Sequence, residues 1–211
     1  MKRYMVLVVS LVSALLLVGC IETTTGPVDT NTQNALNASN AAPKKGTDPI
    51  AKIAIDNGFD ELVAALSYVD EELNTGLVDL FLYGKDQYTV FAPTDEAFEN
   101  LYGLLSSVLG TPIDEITDLP APVVLDVLLY HVAEGRRAAN SVVPPRNERT
   151  ITPLLEEPFF VRTDGTIRDG LTGIRAVDAA IVTPNISASN GIIHVINQVI
   201  VPPSVVAAIT S

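Results

Sequence analysis

The chain contains a single cysteine, Cys20, and this residue limits how a fold can be stabilised. One cysteine excludes a disulfide within the chain and a cysteine-based zinc site, so a folded domain must depend on buried apolar side chains. Cys20 also ends a leader that begins with Lys2 and Arg3 and is almost wholly apolar from Val6 to Val18. This order of positive, apolar and small residues is typical of a secretory signal peptide. The apolar run is shorter than the roughly 20 residues that a membrane-spanning helix needs.

The end of the leader, Leu17-Val18-Gly19-Cys20, resembles the processing site of bacterial lipoproteins. By this resemblance we expect a lipoprotein signal peptide over residues 1–19, cleavage before Cys20, and lipid on the sulfur and amine of that cysteine. The alternative is an ordinary signal peptide with an incidental cysteine. Ile21 stands where Asp commonly retains Gram-negative lipoproteins at the inner membrane, which favours the outer membrane if the source is Gram-negative. The expected localisation is the cell envelope, lipid-anchored and extracytoplasmic.

A change of composition near residue 48 predicts where the folded domain begins. Residues 20–48 are rich in Thr, Asn, Ala and Pro and have few large apolar side chains, so we interpret them as the lipidated cysteine and a flexible tether. A random coil of this length reaches on the order of 30 Å. Residues 49–203 have the composition of a globular domain with a core, and residues 204–211 are expected to form a C-terminal tail.

The charge of the chain excludes some classes of partner. The formal net charge is −12, and loss of Lys2 and Arg3 with the leader would make it about −14. Nucleic acid and anionic membrane surfaces should therefore repel the domain, and no basic patch interleaved with aromatic residues is present. Arg136 and Arg137 are expected to pair with nearby carboxylates on the surface, and the alternative is a small contact site for an anion.

The hydrophobic periodicity changes along the domain from helical to strand-like, which predicts an α+β fold. Helical spacing of apolar residues recurs from Ile50 to Phe81, resumes after the N-cap Thr94, and appears once more from Val124 to Val132, where Gly135 is expected to end the helix. Asp164-Gly165 and Asn190-Gly191 are turn signals. The predicted strands are 87–92, 148–152, 158–163, 166–167, 173–177, 180–184 and 192–201.

Three segments of the domain, in this order, resemble the fasciclin-like domain family. They are Tyr88-Thr89-Val90-Phe91-Ala92-Pro93-Thr94-Asp95-Glu96-Ala97-Phe98, Leu128-Leu129-Tyr130-His131-Val132, and Asn190-Gly191-Ile192-Ile193-His194-Val195-Ile196-Asn197-Gln198-Val199-Ile200-Val201-Pro202-Pro203. The resemblance implies a β-sandwich or wedge with helices packed at one side. It also implies a role in adhesion or extracellular interaction.

The same residues have structural explanations that do not depend on the resemblance. Strand alternation places Ile193, Val195, Val199 and Val201 on one side of the last strand and Ile192, His194, Ile196 and Ile200 on the other, so this strand is expected to be central and buried on both faces. Asn197 stands where the family most often has Asp, which leaves any role of that charge in doubt. The residues assigned to structural motifs are Thr89, Phe91, Pro93, Thr94, Phe98, Gly191, His194 and Asn197.

The two histidines, His131 and His194, allow two interpretations. With Asp95 or Asp178 they would form a metal site or a catalytic base; alternatively, both are buried imidazoles that hydrogen-bond to the backbone or to a carboxylate. The second interpretation is favoured, and no metal or cofactor is predicted. Tyr130-His131 also resembles the segment proposed for cell binding in animal relatives. Because neighbours on a helix point about 100° apart, we expect one of these two side chains to be partly exposed. A direct contact with a partner through this pair is one interpretation; the favoured one is that such aromatic side chains complete a core.

No motif in the chain predicts catalysis. A Gly-x-Ser-x-Gly elbow, a phosphate-binding glycine loop and a His-Glu-x-x-His pair are all absent from the sequence. The sequence therefore predicts a membrane-anchored, non-enzymatic interaction module that presents one domain to an extracellular or envelope protein or to a polysaccharide. The alternative is a lipoprotein that binds a small apolar or anionic molecule in a groove between helices and sheet. A hydrolase is disfavoured because no nucleophile and base are arranged together.

Overall fold

The computed structural model describes residues 43–210, which belong to one compact unit that runs from Asn40 to Ser211. The predicted signal peptide, Cys20 and most of the predicted tether lie outside the described residues. The helices are α1 (Ile50–Asp56), α2 (Asp60–Leu73), α3 (Leu77–Tyr83), α4 (Asp95–Leu109), a 3-10 turn (Ile116–Asp118), α5 (Ala121–Tyr130), α6 (Ala139–Val142) and α7 (Pro203–Thr210). The strands are β1 (Tyr88–Pro93), β2 (Val132–Glu134), β3 (Arg149–Ile151), β4 (Phe159–Val161), β5 (Thr166–Arg168), β6 (Ala179–Ser187) and β7 (Gly191–Ile196).

The strands found within residues 43–210 form one curled sheet in the order β2-β1-β7-β6-β5-β4-β3. Only β1 and β7 pair in parallel, and the other neighbours are antiparallel. The amide of Leu154, just after β3, donates to the carbonyl of Val132 in β2 at 2.7 Å, so the two ends of the sheet approach each other and nearly close it. The prediction of an α+β fold with helices packed alongside a sheet is confirmed.

Strand β7 is central and fully buried, as its pattern predicts, because it separates two hydrophobic cores. Ile193, Val195, Val199 and Val201 lie in the core between the sheet and the helices. The opposite face contributes to a second core inside the curled sheet, which contains Phe91, Tyr130, Ala133, Val142, Ile151, Phe159, Val161, Ile167, Ala179, Ile196 and Ile200. The alternation continues past the last residue of the strand, so residues 197–201 extend the same two-sided packing.

The turn after β1 fixes the start of two helices at once. The Thr94 hydroxyl accepts a hydrogen bond from the Ala97 amide at 3.3 Å and caps α4, as the sequence predicts. The neighbouring Asp95 carboxylate accepts from the Glu61 amide at 3.0 Å. Asp95 therefore caps α2, whose own N-cap residue, Phe59, provides no side-chain hydrogen bond.

Several predicted element boundaries are wrong. The helix predicted to run to Val132 ends at Tyr130, since residues 132–134 pair with β1 as strand β2. Residues 173–177 form turns and bends, and the last strand ends at Ile196, not at Val201. The residues predicted as a tail form α7, and Val205 and Val206 of this helix are buried in the helix-side core. Burial of these two valines makes α7 part of the domain.

The residues just before α1 are fixed to the sheet by Arg136, which corrects its predicted pairing with carboxylates. Its guanidinium donates to the carbonyls of Ala188 at 3.0 Å and Lys44 at 3.3 Å, and also to the Gly191 carbonyl and the Ser187 hydroxyl. We call residues 44–46 the strap. In this segment the Gly46 amide donates to the Ala188 carbonyl at 3.2 Å. A Cβ on Gly46 would lie 2.0 Å from Ser187 O, so only glycine fits here. Domain packing therefore begins before residue 49.

Candidate functional site

Thr89 lies in residues 88–98, the first of the three segments that resemble the family, which we call the signature segments. It joins β1 to the loop that follows β2. Its fully buried hydroxyl donates to the Gly135 carbonyl at 2.7 Å and accepts from the Arg137 amide at 2.9 Å. Because both capacities of the hydroxyl are used inside the protein, Thr89 has a structural role and is not placed to act on a ligand.

His131 is a buried bridge between α5 and the segment after β7. Its Nδ1 lies 2.7 Å from the Val127 carbonyl, and the Ile200 amide donates to its Nε2 at 3.1 Å. Nε2 is thus the acceptor and Nδ1 carries the proton, which defines the neutral tautomer. Complete burial lowers the pKa of His131 to about 4, although the bond to Val127 opposes this shift.

His194 in β7 makes the reverse pair of contacts. Its Nε2 lies 2.9 Å from the Arg137 carbonyl, and the Asn185 amide approaches its Nδ1 at 3.3 Å, so here Nε2 carries the proton. The ring packs against Phe91 with centroids 5.7 Å apart, and burial lowers the pKa of His194 as well. Both histidines are therefore neutral and bound to backbone groups, in agreement with the interpretation of two buried imidazoles.

The carboxylates considered as partners for these rings have other contacts. Asp95 caps α2, and Asp178 forms an ion pair of 3.2 Å with Arg162. Across residues 43–210 no group of three or more His, Cys, Asp or Glu side chains is arranged to hold a metal ion. In the same range no helix is long and apolar enough to cross a membrane.

Tyr130 and His131 are both buried, at 0% and 2% exposure, so the prediction that one of them is partly exposed is wrong. Their side chains do diverge, but the end of α5 lies between the two cores, so protein covers both directions. Tyr130 packs edge-on against Phe159 with centroids 5.4 Å apart, and its hydroxyl donates to the Pro158 carbonyl at 3.4 Å. Neither side chain is available for a direct contact with a partner in this conformation.

Phe91 and Phe98, the two phenylalanines of the first signature segment, lie in different cores. Phe91 belongs to the core inside the sheet, where it meets Phe159 edge-on at 5.1 Å, whereas Phe98 lies in the helix-side core. Pro93 ends β1 between them and is buried. A direct contact between Phe91 and Phe98 is therefore not part of the fold, although each residue anchors one side of the same turn.

Gly191 and Asn197 mark the two ends of β7. A Cβ on Gly191 would lie 2.3 Å from the Tyr88 carbonyl, so the close approach of β1 requires glycine. The side-chain oxygen of Asn197 accepts a hydrogen bond from the backbone N–H of Ala180 at 2.7 Å. The backbone N–H of Asn197 donates to the Ala180 carbonyl at 3.2 Å. This role needs an acceptor oxygen and not a negative charge.

Asn190 has a role that the sequence analysis did not assign. Its side-chain oxygen accepts from the Ile50 amide at the start of α1, and its Nδ2 donates to the Phe81 carbonyl in α3, both at 2.9 Å. The residue is 2% exposed. The Asn-Gly turn signal indicated only a hairpin, and the partners, 109 and 140 residues away, are not visible in any local pattern.

An open groove lies between α4, the 170–178 loop and the segment after β7. Its volume is about 410 Å³, and its apolar lining includes Leu101, Leu104, Ile174, Val177 and Val199. Ile174 and Val177 are exposed at its edge, although both were predicted to lie in a strand. The groove is lined on its polar side by Asn100, Arg175 and Gln198.

A buried ion pair holds the loop that forms one wall of this groove. Arg175 pairs with Asp169, and both side chains are more than nine-tenths buried. Arg175 also donates to the Val199 carbonyl at 2.8 Å, while Asp169 accepts from the Val201 amide at 2.8 Å. These bonds tie both ends of the loop to the segment after β7. The Arg175 Nε has no acceptor among the described residues.

Comparison with known proteins identifies the family. The model of the fasciclin domain matches residues 57–202, which is more than half of the chain. This chain belongs to the fasciclin domain family. The resemblance that the three sequence segments carry is thereby confirmed, and the matched range includes all three except the final proline.

The relatives come from bacteria and animals. Protein sll1483 of Synechocystis sp. is 31% identical over 173 residues, which cover 82% of this chain and 83% of that protein. Immunogenic protein MPB70 of Mycobacterium bovis is 28% identical and covers 81% of this chain and 78% of its own length. Transforming growth factor-beta-induced protein ig-h3 of Sus scrofa is 27% identical over 72% of this chain and 19% of its own length.

One solved structure, of a FAS1 domain pair from the insect cell adhesion molecule Fasciclin I, aligns with a TM-score of 0.43 and 15% identity. The alignment covers 69% of this chain and 46% of that one.

Proposed function

We propose that this protein is a membrane-anchored, extracytoplasmic interaction module without enzymatic activity, which presents one fasciclin domain to a protein or polysaccharide partner. The observation that carries the proposal is that His131 and His194 are both saturated by backbone groups inside the fold. The two imidazoles of the signature segments thus stabilise the fold, and the outer surface of the domain is the part that can contact a partner. Membership of a family associated with adhesion agrees with this role.

The anchor in this proposal is lipid on Cys20. Each buried methylene contributes about 0.8 kcal/mol, so several acyl chains would hold the domain at a bilayer for long periods. Many copies on one membrane would then act together, and weak single contacts would gain from the high effective concentration. The net charge of −12 makes the membrane surface itself an unfavourable partner, which supports display away from the bilayer.

A pull-down with the unit of residues 40–211 tests the proposal. Beads that carry this unit are incubated with envelope and matrix fractions of the producing organism, and beads with an unrelated protein of equal net charge serve as the control. Saturable capture of a protein or polysaccharide above the control is the expected result. Capture no greater than the control in every fraction would contradict the proposal.

A second candidate function is the binding of a small molecule by the same envelope protein. The specific observation in its favour is the groove of about 410 Å³, which is mainly apolar and has a few converging polar groups. The two functions are compatible, because the groove occupies one side of the domain and leaves the rest of the surface available.

A further inference from the structure

We propose that the groove between α4 and the 170–178 loop binds a small, uncharged and mainly apolar molecule that carries one or two hydrogen-bond acceptors. This inference rests on the second candidate function and specifies its ligand. It does not depend on the anchor or on adhesion. Its location is distinct from Tyr130 and His131, the pair that the sequence suggested for partner binding.

The size and lining of the groove match those of small-molecule sites. Such sites have volumes of about 300–1000 Å³ and are lined mainly by apolar side chains. The groove, at about 410 Å³, has walls from Leu101 and Leu104 on α4 and from Leu171 and Val199 on the opposite side. Ile174 and Val177 extend this apolar lining to the solvent edge, where both are exposed.

Two amide side chains supply the polar contacts. Asn100 and Gln198 both line the groove, and neither side chain has a hydrogen-bond partner within residues 43–210. The Nε of Arg175, in the same wall, is a buried donor without an acceptor among these residues, which is unfavourable. The Arg175 Nε is a donor without an acceptor, and the two amide side chains can supply either a donor or an acceptor, so a ligand that carries an acceptor, such as a ketone, ester or amide oxygen, is the best complement.

The charges around the groove favour a neutral ligand. Arg175 is the one charged residue among the described groove-lining side chains, and the buried Asp169 neutralises it. No carboxylate lines the groove to attract a cation, and the net charge of −12 opposes entry of an anion. The alternative of an anionic ligand, which the sequence left open, is therefore disfavoured.

Hydrogen bonds to the rest of the domain fix one wall of the groove. Arg175 and Asp169 bind to the Val199 carbonyl and the Val201 amide, which fixes the loop against the segment after β7. A wall that is already ordered loses little conformational entropy on binding, so more of the contact energy appears as affinity.

Nile red is a suitable probe because it is uncharged, mainly apolar and has a carbonyl acceptor. We expect saturable enhancement of the Nile red fluorescence when the dye is titrated with the unit of residues 40–211, which contains both cores. Cooperative thermal unfolding is the check that this unit is folded. Amide chemical-shift changes should concentrate at residues 100–104, 171–177 and 198–199. The anionic probe 8-anilinonaphthalene-1-sulfonate should bind more weakly at this site.

The decisive comparison uses two valines of similar exposure. Val177, at the edge of the groove, is 58% exposed, and Val182, on β6 and away from the groove, is 53% exposed. Val177→Asp should weaken Nile red binding about tenfold, because it removes an apolar contact and adds a charge, whereas Val182→Asp should leave it unchanged. Equal affinity of the two variants, shifts located elsewhere, or no saturable binding would overturn the inference. None of these results would bear on the capture of a partner by the beads described above.

Discussion

At the scale of single residues, the two histidines show how polar side chains are used in this domain. His131 donates through Nδ1 and accepts through Nε2, whereas His194 donates through Nε2 and accepts through Nδ1. Each neutral ring therefore supplies one donor and one acceptor to backbone groups at places where a helix or a strand ends or a strand bulges. Protonation of either ring would place a second donor against a backbone N–H, which explains why the neutral form is favoured.

The lowered pKa of His131 predicts acid sensitivity. The pKa is about 6.5 in the unfolded chain and about 4 in the folded protein, so between these values the unfolded chain binds more protons and stability falls as the pH falls. His131 alone should lower the free energy of unfolding by about 2 kcal/mol between pH 7 and pH 5. Urea denaturation at both pH values measures the change, and the His131→Gln variant is the comparison. An equally large loss in this variant would show that His131 is not responsible.

Asn197 tests whether acceptor or charge matters at the end of β7. Asn197→Ala leaves the Ala180 amide without its partner and should cost about 1–2 kcal/mol of unfolding free energy. Asn197→Asp keeps an acceptor oxygen and should change stability by less than about 1 kcal/mol at pH 7. Chemical denaturation distinguishes the two. A loss in the Asp variant as large as in the Ala variant would refute the proposed role.

Burial was only partly predictable at this scale. The alternation in residues 192–201 predicted both faces of β7 correctly, since strand geometry is local and has a period of two. The helical wheel also predicted correctly that Tyr130 and His131 diverge. It could not show that a second core lies on the far side of the sheet, because that core is assembled from strands distant in the sequence.

At the scale of elements, the connections between helices and sheet depend on a few long-range caps. Asn190 binds both α1 and α3, Asp95 binds α2 from outside, and Arg136 holds the strap before α1. Local patterns predicted the elements that these residues join, including the capped helix α4 and the two turns. They did not predict the caps, because each partner comes from a remote part of the chain.

Helix α7 is the clearest case in which tertiary contacts changed the interpretation. The sequence predicts a tail over residues 204–211, but these residues belong to a helix whose Val205 and Val206 lie in the helix-side core. A helix of this length is marginal alone and is stabilised by packing.

Truncation after Pro202 should therefore destabilise the domain. Removal of α7 exposes apolar surface that Val205 and Val206 cover, and we expect a loss of about 3 kcal/mol in the free energy of unfolding. Thermal and urea unfolding measure this loss. The matched control is Val108→Ser on α4, which changes an exposed valine and should have little effect. If the truncated domain is as stable as the intact one, α7 is the dispensable tail that the sequence suggested.

At the scale of the whole molecule, the proposed function requires a lipid anchor on Cys20, the tether predicted over residues 20–48 and the folded domain. Arg136 holds the chain at Lys44, so the packing of the domain begins before residue 49. The composition of the chain reflects the amount of apolar surface available for burial, and from it the domain is predicted to begin at residue 49. It could not reveal the strap, which is held by the Arg136 side chain and by the bond from the Gly46 amide to the Ala188 carbonyl, because these partners are remote in the sequence.

The anchor is tested by Cys20→Ser. If lipid on this sulfur holds the protein, the wild-type chain should partition with membranes and into detergent, and its N-terminal peptide should carry the mass of acyl chains. The variant should lose the lipid and the normal processing of the leader. Fractionation and mass spectrometry measure both properties. Normal processing and membrane binding of the variant would show that Cys20 is incidental.

The central claim is that the folded domain, held at the cell surface, makes the contacts that matter there. The most direct measurement is the retention of producing cells under flow on a surface coated with their own matrix. Cells with the full chain are compared with cells whose chain lacks residues 43–211 but keeps the anchor. We predict that loss of the domain lowers the retained fraction severalfold, because many weak contacts act together. Equal retention of the two strains at equal surface levels of the anchor would contradict the account.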